Sequence, residues 1–277
     1  MSPFELAEPG TLSQAIGLLG EEGVRPLSGG TALMLMMKAG IFRPTRLVSL
    51  RKIGLDKVAP AAGGLSIGAM TTLGALERSA AVKHAFPVLT RTLRTLSNVR
   101  VRNVATVGGA LAHADPHMDL PPLLSALGAT VTIAGPRGER SALVESLYAG
   151  YLENTLKRDE LITRLDIPAL GKRRAAYLKC TTRTADDWPA LGMAVVLDGE
   201  EARVVMSAAT DRPTRLLCAE EILRGRLDDP KALKQAGEAA AEEVQIESDM
   251  HGSASYKKQL IRVYLARTVH EARNAVH

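Results

Sequence analysis

Two Gly-Gly pairs in matching contexts constrain the fold of this chain more than any other feature of its sequence. The stretches SGGTAL (28–33) and VGGALA (107–112) each place a glycine pair after an extended segment and before an apolar one. Glycine permits a tight turn and close approach of a ligand, and consecutive free N–H groups form a concave surface that attracts an anion. Two such loops on separate α/β units could clamp a pyrophosphate from both sides, although either pair alone could be an ordinary turn.

Several other motifs are missing from this sequence, which narrows the chemistry that it could perform. Neither glycine pair has the G-x-G-x-x-G spacing of a Rossmann site, and neither is followed by the Gly-Lys-Ser/Thr of a P-loop. No G-x-S-x-G occurs, and Cys180 has no histidine nearby along the chain. A Rossmann dinucleotide site, an ATPase and a hydrolase with a serine or cysteine nucleophile are therefore disfavoured.

The segment HADPHMD, just after the second glycine pair, carries two histidines and two aspartates. Pro116 disfavours a helix at Asp115, so His113 and His117 are not expected to share one helical face as metal ligands. We expect an irregular turn and assign no metal site, although a loop could still bind zinc. Asp115 and Asp119 could instead make turn and cap hydrogen bonds, or a carboxylate here could bind the ribose or adenine of a dinucleotide.

Composition limits the class of protein and the cofactors that the chain could hold alone. Of the 277 residues, 46% are hydrophobic and 23% charged, a balance typical of globular proteins. No apolar run approaches the ~20 residues of a membrane span, and MSPFELAEPG lacks the features of a secretory signal. The net charge of +5 comes without a basic stripe interleaved with aromatics, so nucleic-acid binding is not expected.

The cysteine content bears on redox chemistry. The chain has two cysteines, Cys180 and Cys218, which excludes a disulfide framework and favours a cytoplasmic setting. An iron–sulfur cluster usually needs four thiolates, so this chain alone cannot hold one. Any one-electron relay must therefore come from a partner.

Periodicity and turn residues divide the chain into three predicted regions, 1–54, 55–172 and 173–277. The first reads as a small α/β unit, and the second mixes strands with helices around the HADPHMD turn. The third shows a meander of strand-like segments followed by three helical stretches, which is typical of an α+β domain.

Three local predictions concern the second region. The stretch 82–97 reads as helical, and GPRGER (135–140) reads as a turn between two strands. Asp119 is placed to cap a helix that Gly128 ends.

Five stretches together resemble the FAD-binding medium subunit of the molybdenum hydroxylases, the family of bacterial carbon monoxide dehydrogenase and of the flavin domain of xanthine dehydrogenase. The resemblance covers nearly the whole chain, in order. It implies an α+β fold, with a two-subdomain FAD-binding fold of the vanillyl-alcohol oxidase / p-cresol methylhydroxylase type and a C-terminal antiparallel sheet with packed helices. The stretches are PLSGGTALMLMMKAGIFRPTRLVSLRKI, TVGGALAHADPHMDLPPLLSALGATV, DELITRLDIP, YLKCTTRTADDWPALGMAV and ESDMHGSASYKKQLIRVYLAR.

The resemblance also implies which residues hold FAD. Asp119 would lie near the adenosine half, Ile162 against the flavin or adenine, and Lys179 near the flavin ring system, where a cation would make the flavin easier to reduce. Ala110 departs from the family, which often has Asn at this place with one more side-chain donor. The residues implied at the pyrophosphate are Ser28, Gly29, Gly30, Thr31, Ala32, Thr106, Val107, Gly108, Gly109 and Ala110.

The activity that the resemblance implies is electron transfer within an oxidoreductase complex. This flavoprotein subunit would pass electrons from iron–sulfur clusters of a partner subunit to an external acceptor such as a quinone, NAD or oxygen, with no catalytic side chain of its own. The molybdenum cofactor and [2Fe-2S] clusters are expected in a large molybdenum-binding subunit and a small iron–sulfur subunit, assembled as a cytoplasmic dimer of heterotrimers. Contact with the inner face of the membrane through these partners is left open. A stand-alone FAD-dependent oxidase and a non-catalytic nucleotide-binding module remain alternatives.

Overall fold

The computed structural model describes residues 2–61 and 63–275, and within them the strands form three sheets and one short two-stranded ribbon. The N-terminal elements are β1 (Glu5–Ala7), α1 (Leu12–Leu19), β2 (Val24–Leu27), α2 (Leu33–Lys38) and β3 (Arg46–Ser49). The three strands are parallel, in the order β1–β3–β2, with helices in the crossovers. Thr11 caps α1 through its side chain, and Gly40 follows α2 with a φ of 74° in the left-handed region that favours glycine.

The next part of the chain builds an antiparallel sheet and a group of short helices. Its elements are β4 (Val58–Ala61), β5 (Gly64–Gly68), α3 (Leu73–Arg78), α4 (Ala80–Ala85), α5 (Pro87–Thr95), α6 (Val99–Arg102), α7 (Val107–His113), α8 (Leu120–Leu127), β6 (Thr130–Gly135), β7 (Gly138–Leu143), a 3-10 helix (Val144–Leu147), β8 (Tyr148–Gly150), β9 (Glu153–Asn154) and β10 (Leu161–Pro168). Five of the strands pair in the order β4–β5–β10–β6–β7, and β8 and β9 form the ribbon.

Two local predictions for this part need correction. The helical stretch at 82–97 is broken at Phe86, because Pro87 disfavours the helical conformation in the residue before it and starts a new helix at its own first position. The turn predicted at GPRGER is shorter than expected, because β7 begins at Gly138 and pairs with β6. Gly138 has a φ of 104°, which glycine tolerates, so the chain reverses direction through residues 136 and 137 alone.

The C-terminal part is an antiparallel sheet covered by helices. Its elements are β11 (Arg174–Thr181), β12 (Pro189–Asp198), β13 (Glu201–Ser207), β14 (Thr214–Arg215), α9 (Leu217–Leu223), α10 (Pro230–Glu243) and α11 (Ala254–Asn274). The strands pair in sequence order, as the meander predicted. Within the described residues, no helix is both long and apolar enough to cross a membrane.

The central strand β12 belongs to two hydrophobic cores. Ala194 and Val196 pack with the core that contains α8, whereas Met193 and Val195 pack with the core that contains α10 and α11. Successive side chains of a strand point to opposite faces, so this sheet is covered on both sides. The α+β class with a C-terminal antiparallel sheet and packed helices is thus confirmed, while the division of the chain after residues 54 and 172 stays a prediction.

Candidate functional site

The structure brings the two glycine segments into contact. The first glycine loop (residues 28–32) joins β2 to α2, and the second glycine loop (residues 106–110) forms the start of α7. The Oγ1 of Thr106 donates a hydrogen bond to the Oγ of Ser28 over 3.2 Å. Each loop is therefore one wall of a shared crevice between the N-terminal sheet and the group of helices.

Glycine is required where the loops approach each other. A Cβ at Gly109 would lie 2.6 Å from the Oγ of Ser28 and 2.9 Å from the Oγ1 of Thr106. A Cβ at Gly29 would fall inside contact distance of the backbone carbonyl oxygen of Val104. Because backbone cannot swing aside as a side chain can, any larger residue at Gly29 would force the loops apart.

The first loop offers free backbone donors. Within the described residues, the N–H groups of residues 29 to 32 donate to no backbone or side-chain acceptor. Gly30 adopts a φ of 70°, so its neighbours' N–H groups can converge as they do in an anion-binding nest. The four donors and the half-exposed crevice fit the oxygens of a phosphate or pyrophosphate group.

In the second loop, by contrast, the backbone N–H groups already donate to acceptors within the protein. The N–H of Gly108 donates to the carbonyl of Ala69 over 2.8 Å, and the N–H of Val107 donates to the carbonyl of Thr71 over 3.0 Å. The N–H of Gly109 donates to the Oγ1 of Thr106 over 3.1 Å and so caps α7. With these donors engaged, the second loop supplies a fixed wall to the crevice, whereas the first supplies the anion donors.

The predicted residue Ile162 lies in β10, the strand that supports this wall. The register of β10 against β6 shifts between Ile162 and Arg164. On the other side of β10, the carbonyl of Thr163 accepts a hydrogen bond from the N–H of Ala69 over 3.0 Å, which continues the pairing with β5, and the carbonyl of Ala69 in turn accepts from the N–H of Gly108. The side chain of Ile162 is buried in the adjoining core.

Asp119 occupies the predicted cap position of α8 without capping it through its side chain. Its Oδ1 accepts a hydrogen bond from the hydroxyl of Tyr177 over 2.6 Å, and its Oδ2 accepts one from the Nζ of Lys179 over 3.0 Å. Burial raises the pKa of the Asp119 carboxyl above its usual range, against the lowering effect of Lys179 and Tyr177. The two predicted residues Asp119 and Lys179 therefore form one buried ion pair.

All three protons of the Lys179 ammonium group are used in hydrogen bonds within the protein. Besides Asp119, its Nζ donates to the carbonyl of Thr95 over 2.9 Å and to the carbonyl of Asp187 over 3.2 Å. An ammonium group has three protons, so every donor of Lys179 has a protein acceptor. The residue joins the end of α5, the start of α8 and the loop between β11 and β12.

The HADPHMD segment is the irregular turn that Pro116 predicted. The turn itself begins after α7, at Ala114, which has a φ of 57°. The ring of His117 lies between the carboxylates of Asp115 and Asp249. Among residues 2–61 and 63–275, no group of three or more histidines, cysteines, aspartates or glutamates could hold a metal ion.

Sequence reasoning named both glycine loops, and Asp119 and Lys179 as separate residues, but it missed the ion pair between these two and the residues that hold the site in place. Tyr177 was detectable, because it lies two residues before Lys179 and therefore on the same face of one strand. Ala69 and Val104 contribute through backbone carbonyls, which leave no signal in the choice of side chain.

Comparisons with known proteins cover almost the whole chain and all point to one family. The chain matches the family described as "FAD binding domain in molybdopterin dehydrogenase" over residues 2–170, and "CO dehydrogenase flavoprotein C-terminal domain" over residues 176–272. It is 31% identical to the carbon monoxide dehydrogenase medium chain of Afipia carboxidovorans, covering 98% of this chain and 96% of that one. It is 27% identical to the glyceraldehyde dehydrogenase medium chain of Sulfolobus acidocaldarius, covering 97% and 98%. Among solved structures, reconstituted CO dehydrogenase from Oligotropha carboxidovorans matches with a TM-score of 0.94 and 31% identity over 99% of both chains.

Proposed function

Since the chain belongs to the family of FAD-binding medium subunits of the molybdopterin dehydrogenases, we propose that it passes electrons from the iron–sulfur clusters of a partner subunit to an external acceptor. Membership makes the chain an oxidoreductase flavoprotein subunit with an FAD-binding domain. The observation that carries the proposal is the contact between the two glycine loops, with four free N–H groups on one side and a fixed wall on the other.

The chain's own residues bind and orient the cofactor. The N–H groups of residues 29 to 32 donate to the pyrophosphate oxygens, and the hydroxyls of Ser28 and Thr106 line the same crevice. Because Asp119 and Lys179 are bonded to each other, the pair faces one end of the cofactor, either the adenosine half implied for Asp119 or the flavin ring implied for Lys179, and Ile162 contacts the flavin or adenine. Bound FAD supplies a two-electron carrier between one-electron clusters and the acceptor, while the protein supplies binding, orientation and electrostatics.

Lys179 acts on the flavin environment as part of an ion pair. All three of its donors are taken by Asp119 and two carbonyls, so the ammonium has no proton to spare for a direct bond to the cofactor. Its charge is largely balanced by Asp119, with which it holds the surrounding loops in place. Any effect of Lys179 on the ease of flavin reduction is therefore exerted through that pair.

The partners follow from the chemistry that this chain lacks. Two cysteines cannot ligate an iron–sulfur cluster that usually needs four thiolates, so the clusters belong to a small iron–sulfur subunit. The molybdenum cofactor belongs to a large subunit, and the three chains assemble as a dimer of heterotrimers in the cytoplasm. The relatives named as medium chains of carbon monoxide and glyceraldehyde dehydrogenases support this arrangement.

The first test is the visible absorption spectrum of the purified chain after incubation with FAD and desalting. We expect retained flavin bands in the wild type and their loss in Gly29→Ala, because the new Cβ would collide with the carbonyl of Val104 and separate the loops. Gly17→Ala is the matched control, since a Cβ at Gly17 in α1 meets nothing within 4 Å.

The same spectrum can contradict the proposal. If the wild type retains no flavin, the measurement is repeated on the chain co-expressed with its genomic neighbours, and absence of flavin there refutes an FAD-binding role. Retention of flavin by Gly29→Ala at the wild-type level would show that contact between the loops is not what holds the cofactor.

A further inference from the structure

The turn after α7 carries a histidine that the proposed cofactor contacts do not use. The Nδ1 of His117 lies 3.1 Å from the Oδ1 of Asp115, and its Nε2 lies 3.2 Å from the Oδ2 of Asp249. Asp115 belongs to the same turn, whereas Asp249 belongs to the segment before α11, 132 residues further along the chain. His117 therefore bridges the second glycine loop's helix and the C-terminal part.

The far side of this bridge is anchored in the C-terminal helices. Asp249 also accepts a hydrogen bond from the Nζ of Lys257 over 2.6 Å, and Lys257 is buried in α11. The same Nζ donates to the carbonyl of Ala208 over 2.9 Å, and the N–H of Ala208 donates to the carbonyl of Pro116 over 2.9 Å. The hydrogen bonds thus form a closed ring that runs from His117 through Asp249, Lys257 and Ala208 back to Pro116, the residue before His117.

An exposed aromatic residue rests on the bridging ring. The indole of Trp188 stacks on the imidazole of His117 with ring centroids 5.5 Å apart and an interplanar angle of 20°. The ring of His251 meets His117 from another side at 5.0 Å. Trp188 remains 46% exposed, and its loop is held by the bond from Lys179 to the carbonyl of Asp187. His117 is thus the point where this loop, the 249–252 turn and α7 meet.

Two of the four described non-glycine residues with positive φ lie beside this meeting point. Ala114 at the end of α7 and Ala208 after β13 both have φ in the left-handed region, at 57° and 67°. Alanine pays a steric penalty there, so such residues persist only where the surroundings hold them. Both adjoin the His117 contacts: Ala208 bonds to Pro116 and Lys257, and Ala114 directly precedes Asp115.

We propose that His117 is a positioning residue that clasps the 249–252 turn and Trp188 onto the end of α7, and thereby holds the second glycine loop in the geometry that binds FAD. The inference rests on the proposed function. Helix α7 has seven residues and is about 10 Å long, so it transmits a displacement of one end to the other. Its N-terminal end is the second glycine loop, and its C-terminal end is fixed by His117 and by the bond from the Nδ2 of Asn154 to the carbonyl of Ala112.

Charged and titratable groups surround the ring of His117. They are Asp115 from its own turn, Asp249 and His251 from the segment before α11, and Lys257 from α11, which bonds to Asp249. Only an imidazolium can donate to both carboxylates at once, because a neutral imidazole has a single N–H.

Asp249 is held as an acceptor by its neighbours. Burial acts to raise the pKa of Asp249, but the hydrogen bonds from Lys257, His251 and His117 outweigh it and lower that pKa. The Asp249 carboxylate therefore accepts hydrogen bonds from Lys257 and from His117 together.

The fluorescence of Trp188 reports on the contact between Trp188 and His117, because Trp188 is the only tryptophan in the chain. In His117→Gln we expect a longer emission wavelength and stronger quenching by acrylamide than in the wild type. His84→Gln is the matched control, because the side chain of His84 is exposed and makes no hydrogen bond to another described residue.

Equilibrium binding of FAD to the full chain tests the positioning role. Loss of a charge-assisted hydrogen bond at the clasp is expected to weaken FAD binding about tenfold in His117→Gln and in Asp249→Asn. The double variant should bind no more weakly than Asp249→Asn, since Asp249→Asn already removes the His117 contact together with the bond from Lys257.

Three outcomes would overturn the inference. They are wild-type FAD affinity in His117→Gln, an additive loss in the double variant, and Trp188 emission unchanged by His117→Gln. A wild type that binds no FAD would instead refute the proposed function, and the inference with it. Far-UV circular dichroism identifies a variant that fails to fold, and the other single variant then carries the same comparison.

Discussion

Lys179 illustrates how one side chain can be read differently in a sequence and in a structure. In the sequence it is a cation two residues from Tyr177, and the resemblance brings it to the flavin ring. In the fold its ammonium group is surrounded by three oxygens, one of them from the buried carboxylate of Asp119. Removing one partner of such a pair leaves an uncompensated buried charge, which costs more than the pair itself contributes.

We expect Lys179→Met to lose about 3–5 kcal/mol of unfolding free energy at neutral pH, because Asp119 would stay buried without its counter-ion. Burial already raises the pKa of Asp119 in the fold. A carboxyl with a raised folded pKa costs stability above its unfolded pKa, and that cost fades as the pH falls and the group is protonated. Urea unfolding at about pH 7 and pH 5 should therefore show the variant regaining stability at the lower pH.

Two further variants make this result specific. Asp119→Asn together with Lys179→Met should be more stable than Lys179→Met alone at neutral pH, since no buried charge remains. Lys52→Met removes an exposed lysine paired with Glu8 and should change stability by no more than about 0.5 kcal/mol. Equal losses in Lys179→Met and Lys52→Met would contradict the buried-pair explanation.

For single residues, the sequence predicts a role well where only one residue type can fill that role. Glycines that must be glycine, such as Gly29 and Gly109, stand out in the sequence, and their close contacts agree with that prediction. The partnership of His117 with Asp249 could not be predicted, because it depends on where a segment 132 residues away is packed. Assignment of the individual site residues to FAD stays a prediction until a bound cofactor is observed.

At the scale of elements, the decisive contact is between α7 and the end of β5. Gly108 lies against Ala69, and β10 holds Ala69 through the carbonyl of Thr163. A Cβ at Gly108 would lie 2.6 Å from the Cβ of Ala69 and 3.0 Å from its carbonyl oxygen. The position of the second glycine loop therefore depends on how closely a helix can approach a strand.

We expect Gly108→Ala to push α7 outward and weaken FAD binding, and Ala69→Gly to restore part of the loss, because it removes the nearer of the two colliding atoms. Isothermal titration with FAD on the two single variants and the double variant measures the compensation. If the double variant binds no better than Gly108→Ala, the helix–strand distance does not control the loop.

The elements were predictable to different degrees for physical reasons. Helix α1 carries helix-boundary signals in its sequence, since a threonine precedes it and a glycine follows it, and in the structure Thr11 caps it and Gly20 ends it. The short strands β7, β8 and β9 were not predicted, because their burial is incomplete and they lack a clear alternation of apolar residues. The bond between Ala69 and β10 leaves no sequence signal either, since Thr163 contributes only its backbone carbonyl to it.

At the scale of the whole molecule, β12 joins the two largest cores. Its side chains alternate between the core of α8 and the core of α10 and α11, and nine of its ten residues are buried. Neither core can lose its packing without exposing one face of this strand. The two parts of the chain are therefore expected to unfold together.

We expect one transition in differential scanning calorimetry of the chain, and a lower midpoint of that same transition in both Val195→Ala and Val196→Ala. The two valines face opposite cores, and each loses buried volume when truncated. For a chain of this size the midpoint should fall by about 2–4 °C for each kcal/mol lost. Two resolved transitions, each lowered by only one of the variants, would mean that the cores are independent.

The hydrogen bond between Ser28 and Thr106 also limits when a cofactor can be captured during synthesis. The two residues are 78 positions apart, so the first glycine loop leaves the ribosome long before its partner. At about 5–20 residues per second, that interval lasts roughly 4–16 s. During it the nascent chain presents four unpaired donors with no opposite wall, and the lysine and the aspartate that meet Asp119 and His117 come later still. Flavin loading is therefore a late event, which completes only when almost the entire polypeptide has been translated.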